Sequence, residues 1–183
     1  WFYLSADHGP EGAAHDPRSS KIFGLGYGTA SCGMCHIHPV DGMSYDKGKM
    51  DYGLQKYGVR DPETVDQWDE NGKGKDLAVL QQGQILPDIL STCKFMGYAG
   101  ITPDHWAGML SATTGWDIDG KELLKVGERV LNLQRLFNMR ESLGRKDDML
   151  PERVLSMPES GPFKDEARCT IKAYDDLLDE YYE

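Results

Sequence analysis

Cys32-Gly33-Met34-Cys35-His36-Ile37-His38 sets two thiols and two imidazoles into one short run. The bare spacing admits three chemistries. Cys-x-x-Cys-His is the attachment signature of a covalent haem. The same donors make half of a zinc site, which needs two further ligands, and only His38 is close. The third reading is the floor of a buried active site. There His36, whose imidazole ordinarily titrates near ~6.5, would shuttle a proton or orient substrate. Haem requires export and covalent attachment, and no export signal is readable in this sequence. The rest of the chain favours the active-site reading. The alternatives are a c-type haem electron-transfer protein and a non-catalytic helical assembly module.

A second stretch with chemical content is Asp88-Ile89-Leu90-Ser91-Thr92-Cys93. It follows Pro87, which removes a backbone donor and breaks or kinks a helix. A broken helix exposes backbone groups that can grip a polar ligand. By residue type alone Cys93 is an ordinary buried thiol, and Asp88 can simply cap a helix after Pro87. Cys169 reads as a packing residue on the last helix. Glu128, Arg129 and Arg135 read as members of a buried ion-pair network rather than as catalysts.

The elements that must position these residues are helical. His15-Asp16-Pro17-Arg18 reads as a turn. Gly24-Leu25-Gly26-Tyr27-Gly28 has the wrong spacing for a dinucleotide fingerprint and no strand before it. Its glycines allow close backbone approach, to a ligand or to another helix. A helix is expected from Ala30 to His38, stopped by Pro39. Asp61-Pro62-Glu63 starts another, with Val65 and Trp68 inward. Residues 69–75 read as a solvated connection of weak order. The series Leu77, Val79, Leu80, Ile85, Ile89, Leu90 predicts a buried helix over 76–96, broken at Pro87. Thr102-Pro103-Asp104 opens a helix with Trp106, Met109 and Leu110 on its apolar face and Gly115 at its end. The longest helix is expected over about 119–142, with Leu123, Val126, Val130, Leu133 and Phe137 as a core-facing stripe and Gly144 as its cap. Pro151-Glu152-Arg153 starts a short helix. Residues 164–181 predict a last one with Ala167, Ile171, Tyr174, Leu177 and Leu178 on one side. Strand signals are poor. The expected fold class is mainly α: one irregular helical domain over residues 1–183, with long Gly-rich loops.

Composition bounds the function classes. Of 183 residues, 39% are hydrophobic and 27% charged, enough for one sizeable core. Thirty acidic residues against 20 basic ones give a formal charge of −10, which argues against nucleic-acid binding. No apolar run is long enough to span a membrane. A start at Trp1-Phe2-Tyr3-Leu4, with no signal peptide, reads as the inside of a longer chain. Four cysteines suit reduced thiols in a soluble cytoplasmic protein.

Several segments, in order, carry a resemblance. They are His15-Asp16-Pro17-Arg18, Gly26-Tyr27-Gly28-Thr29, Cys35-His36, Gly100-Ile101-Thr102-Pro103 and Ala112-Thr113-Thr114-Gly115-Trp116-Asp117. The longest is Glu128 to Arg140, followed by Arg145 to Arg153. Together, from about residue 11 to 155, they resemble the tungsten-containing aldehyde:ferredoxin oxidoreductase family. The resemblance implies a C-terminal helical domain of a larger multidomain oxidoreductase. It implies a tungstopterin (or molybdopterin) cofactor and a [4Fe-4S] cluster. The remaining domains of the same enzyme, a ferredoxin or ferredoxin-like subunit and a small carbonyl substrate are the implied partners. The family's fourth cluster cysteine lies in an Asp-x-x-Gly-Leu-Cys motif, and Asp88-x-x-Ser91-Thr92-Cys93 has its spacing. On that match Cys93 is the cluster ligand, Asp88 accepts hydrogen bonds from pterin amino groups and Thr92 lies against the pterin through its backbone. A thiolate suits iron–sulfur ligation and a carboxylate suits an edge of N–H donors. The family's other three cluster cysteines come from an upstream segment absent here. His36 falls where the family places a residue close to the metal. Two positions depart from the pattern: Ser91-Thr92 replaces Gly-Leu, and Cys32 stands where Arg is common. The usual small aldehydes are therefore not assumed as substrates, and a branch that reduces aromatic-ring thioesters is also compatible.

Overall fold

In the computed structural model, which describes residues 15–37, 45 and 52–183, every regular element among the described residues is helical. The α-helices are α1 (Lys21–Thr29), α2 (Lys73–Gln84), α3 (Leu86–Ile89), α4 (Pro103–Thr114), α5 (Gly120–Arg140), α6 (Glu152–Leu155) and α7 (Tyr174–Tyr182). Short 3-10 turns join them, including Pro17–Ser19 and Pro62–Thr64, whose caps Asp16 and Asp61 accept from the backbone; Asp61 is the cap the sequence predicts, but it starts a three-residue turn rather than a helix.

α2 lies at the centre and touches α1, α5 and α7. Its Leu77 and Leu80 are fully buried, with Ile22 and Leu25 of α1, Leu123 and Leu124 of α5, and Leu177 and Leu178 of α7 in the same core. Two glycines let backbones meet directly. A Cβ on Gly74 would lie 2.5 Å from the Leu177 carbonyl oxygen and 2.6 Å from the Tyr181 nitrogen. A Cβ on Gly127 would collide with the Gln82 carbonyl oxygen. The run Gly24-Leu25-Gly26-Tyr27-Gly28 is likewise helical, inside α1. Side chains at Gly24 and Gly28 would strike Ile171 and the Tyr174 hydroxyl, so these glycines serve packing against the C-terminal segment.

Several expectations are corrected. Residues 69–75 are not a solvated connection: Lys73 and Gly74 are buried at the start of α2. There the Glu180 carboxylate accepts from the Gly72 and Gly74 amides, each at 3.2 Å. An acid at a helix N-terminus also suits the dipole. The helix expected over 30–38 is replaced by α1, which ends at Thr29, and residues 31–37 form a bent loop. The last helix begins at Tyr174, not near 164. Glu70 holds the Lys172 and Ala173 amides at 2.8 and 3.1 Å, taking the donors that an earlier helix would use internally. Ala167 is therefore exposed, and buried Cys169 sits in a 3-10 turn rather than on the helix.

On α5 the packed side steps through Leu123, Leu124, Gly127, Leu131, Gln134 and Asn138, turned away from the apolar stripe. Leu133 and Phe137, expected in the core, are 67% and 60% exposed. The close approach at Gly127 sets this rotation. Met109 of α4 is also exposed, while Trp106 is buried. Gly144 does not cap α5. Ser142 takes the left-handed turn (φ +69), and the Leu143 amide returns to the Asn138 carbonyl at 2.9 Å.

One buried charge fixes the lower loop. Asp76, 2% exposed, accepts from the Arg60 amide (3.1 Å), Arg60 Nε (2.8 Å) and the Tyr45 hydroxyl (3.0 Å).

Two glycine substitutions separate close packing from helix propensity. Gly127→Ala forces its methyl onto backbone, and overpacking of that kind costs about 1–3 kcal/mol. Gly108→Ala, with nothing within 4 Å of its Cβ, should stabilise α4 by up to about 1 kcal/mol. Urea midpoints of the two variants should move in opposite directions.

Candidate functional site

The loop 31–37 leaves α1 at Ala30 and is fastened to α5. Ser31 Oγ donates to Gln134 Oε1 at 2.8 Å, and Asn138 Nδ2 donates to the Ser31 carbonyl at 2.7 Å. Gly33 and Met34 both have positive φ, +73 and +22, which turns the chain sharply between Cys32 and Cys35. Met34 is 3% exposed and plugs the loop into the core. Cys32 is exposed as a residue, and Cys35 and His36 are half-buried. Burial around the Cys32 sulfur, and then the neighbouring Cys35 thiol, push the Cys32 pKa up to about 11. The His36 ring meets His15 edge-on, centroids 5.0 Å apart. His15 is held in turn by its carbonyl, which accepts from the Tyr27 hydroxyl at 3.1 Å. Burial raises the Tyr27 phenol pKa, so it stays a protonated donor. His38 lies outside the described residues.

The second segment begins where α2 gives way to α3. Pro87 sits in the first turn of α3, as the expected break. The Thr92 amide folds back to the Pro87 carbonyl at 2.8 Å, and Ser91 adopts a left-handed φ of +55. That conformation favours glycine, the residue the family motif carries there. Because the Thr92 N–H is engaged, any ring contact through its backbone falls to its carbonyl. Cys93 follows in extended backbone, its residue surface exposed.

Lys94 joins the two segments. Its Nζ lies 2.8 Å from Asp88 Oδ2 and donates to the Ile37 carbonyl at 3.2 Å. The Lys94 side chain is 14% exposed and that of Asp88 37%. Asp88, Cys93, Cys35 and His36 are thus brought to one region from chain segments some fifty residues apart. An aspartate has about four lone-pair sites, so an ammonium does not exhaust Asp88 as an acceptor. Among the described residues no group of three or more His, Cys, Asp or Glu could hold a metal ion. Cys93 presents a single exposed thiol from its loop.

The expected ion-pair network shrinks to one member. Arg135 pairs with buried Asp148, which also accepts from the Tyr182 hydroxyl, whereas Glu128 and Arg129 are exposed. Lys94, Gln134 and Asn138 were not singled out for these roles by sequence. The signal was present: a cation directly after Cys93, and two amides four residues apart on a helix.

A family model described as aldehyde ferredoxin oxidoreductase, domains 2 & 3, matches residues 4–183. A tungsten-containing aldehyde ferredoxin oxidoreductase of Thermococcus kodakarensis is 34% identical over 173 residues, 92% of this chain and 26% of that protein. The protein so named from Pyrococcus furiosus is 36% identical over 155 residues, 82% and 23% respectively. The one from Pyrococcus abyssi is 33% identical over 172 residues, 92% and 26%. The chain spans about a quarter of the length of these curated relatives.

The bridge through Lys94 is testable by itself. Lys94→Met should speed amide exchange in residues 32–37 and 88–93. Global stability should change by less than about 1 kcal/mol, as for a partly exposed pair. Hydrogen exchange read by mass spectrometry, with a melting curve, separates the two effects.

Proposed function

The chain belongs to the aldehyde ferredoxin oxidoreductase family, and on that basis we propose that it forms the C-terminal helical domain of a tungsten- or molybdenum-pterin oxidoreductase. The substrate class is an aldehyde or a related carbonyl or acyl compound. Ferredoxin, or a ferredoxin-like subunit, is the electron acceptor, and the compartment is the cytoplasm, where thiols stay reduced. The observation that carries this reading is the Lys94 bridge. It sets the Asp88–Cys93 loop beside the Cys35-His36 loop, the two segments in which the family motif and the proton-handling residue fall. The exposed apolar side chains Leu133, Leu136 and Phe137 support a second body against this one. In this proposal that body is the rest of the same enzyme, consistent with the length of the relatives.

When bound, a metal-pterin group would supply two-electron redox chemistry and a [4Fe-4S] cluster would supply one-electron transfer. The residues of this chain bind, orient and move protons. Cys93 contributes one thiolate from a loop whose shape is fixed by the Thr92–Pro87 hydrogen bond. Asp88 presents a carboxylate to an edge of N–H donors and is itself oriented by Lys94. Oxidising an aldehyde to an acid releases protons, and His36 accepts one, its ring oriented edge-on by His15.

Two experiments on the full-length enzyme test these roles. Cys93→Ser should lose or convert the cluster. Unchanged iron content and an unchanged paramagnetic resonance signal of the reduced enzyme would refute the assignment. His36→Ala should lower turnover per bound tungsten or molybdenum by about 10²–10⁴-fold, the range for a general acid–base group. Near wild-type turnover per metal, with a lower melting temperature, would return His36 to a packing role.

A further inference from the structure

The Cys32-Gly33-Met34-Cys35 turn contains a thiol pair that the proposed oxidoreductase chemistry does not use. We propose that Cys32 and Cys35 form a thiol–disulfide exchange site, which a low-molecular-weight aliphatic disulfide oxidises to an intramolecular Cys32–Cys35 bond. Three features on this loop carry the proposal. First, the chain bends between the two cysteines, where Gly33 and Met34 both have positive φ, +73 and +22. Second, the two thiols already touch: the Cys32 and Cys35 side chains are in hydrogen-bond contact. Third, the turn is built in place before any bond forms. Ser31 is tied to Gln134 and Asn138, Met34 is buried, and the Ile37 carbonyl is held by Lys94. Closing the bond therefore needs little reordering of the chain, and an ordered precursor lowers the entropic cost of closure.

The surroundings select this pair. Cys32 is exposed and can be reached by a solute, whereas Cys169 is 2% exposed in a separate 3-10 turn. No strand is present among the described residues, so this is not the strand-to-helix setting of a thioredoxin-type motif. The raised Cys32 pKa leaves little thiolate at neutral pH, so the exchange is expected to speed up as pH rises.

The chemistry balances without the metal or the cluster. One cysteine, as thiolate, attacks a sulfur of the reagent and releases one reagent thiol, forming a mixed disulfide. The partner cysteine, as thiolate, attacks the cysteine sulfur of that mixed disulfide and releases the second reagent thiol. The two cysteines together lose two hydrogens and two electrons, and the reagent disulfide gains them as two thiols. The proposal is independent of the roles given to His36 and Cys93.

The test is a redox titration of the full-length enzyme with oxidised and reduced glutathione, quenched by alkylation and mapped by mass spectrometry. The expected product is a peptide containing Cys32 and Cys35 that is two hydrogens lighter and resists alkylation until reduced. An unstructured peptide of residues 30–37 serves as reference. The enzyme should favour the disulfide over that peptide by roughly tenfold or more, about 30 mV for a two-electron couple. In the Cys32→Ser enzyme, Cys35 should carry a lasting glutathione adduct or stay free, with no internal bond. A lasting adduct on wild-type Cys32, a bond from Cys35 to any other cysteine, or an equilibrium equal to the reference peptide would overturn the proposal.

Discussion

Direct backbone contact between α2 and its neighbours is the constraint on which the rest of the arrangement depends. Where α2 crosses α7, Gly74 meets the Leu177 carbonyl, and where it crosses α5, Gly127 meets the Gln82 carbonyl. No side chain spaces these contacts, so their geometry is set by backbone alone and tolerates little sliding. The direction of α2 fixes where α3 emerges, and with it Asp88. The rotation of α5 turns Gln134 and Asn138 toward Ser31, just beyond the end of α1. Each loop of the site is therefore positioned by a helix that α2 clamps.

Polar groups at the helix ends make that clamping specific. Glu180 caps the start of α2 from α7, and Glu70 caps the start of α7 from the loop before α2. The two helices thus determine each other's N-termini. Asp76 gathers the Arg60 amide and guanidinium and the Tyr45 hydroxyl about one buried carboxylate. A buried carboxylate tolerates few alternative arrangements, because any that leaves it unpaired costs several kcal/mol. Arg135 and Asp148 play the same part behind α5, where the Tyr182 ring covers the guanidinium at 5.2 Å. Apolar burial supplies most of the driving force in such a core, and these directional contacts select among the ways of packing it.

What sequence made legible was local chemistry with a local cause. Thr102-Pro103 at the head of α4, Gly115 at its end, Asp119 before α5 and the break at Pro87 all stand where capping and proline rules put them. What was not legible depended on distant partners. Nothing local says that Lys73 and Gly74 are buried, because only Glu180 and Leu177, over a hundred residues later, make them so. The last helix was read too long for the same reason: the amides at 172 and 173 go to Glu70. At the candidate site Asp88 and Cys93 were singled out by their resemblance to the family motif. Their approach to Cys35 and His36 was not, since Lys94 creates it and its partner is a backbone carbonyl, which leaves no sequence signature.

The apolar stripe of α5 is the most instructive mismatch. Periodicity correctly found Leu133 and Phe137 on one side of a helix, and the assumption that the side faces this core was the error. Gly127 lets α5 approach α2 along a different line, and Gln134 and Asn138 occupy the inward positions that Leu or Phe would otherwise take. The stripe is left turned outward, together with Leu136, at 60–67% exposure. Full burial of such a side chain is worth about 1.5–3 kcal/mol, so several on adjacent turns are a substantial stabilisation not realised within the described residues. The inward amides serve the loop that carries His36, and the outward leucines and phenylalanine, in the proposed enzyme, serve the remaining domains. One helix then holds the site on one side and the rest of the protein on the other, which makes α5 the element through which packing of the larger enzyme would set the position of the Cys32–Ile37 loop.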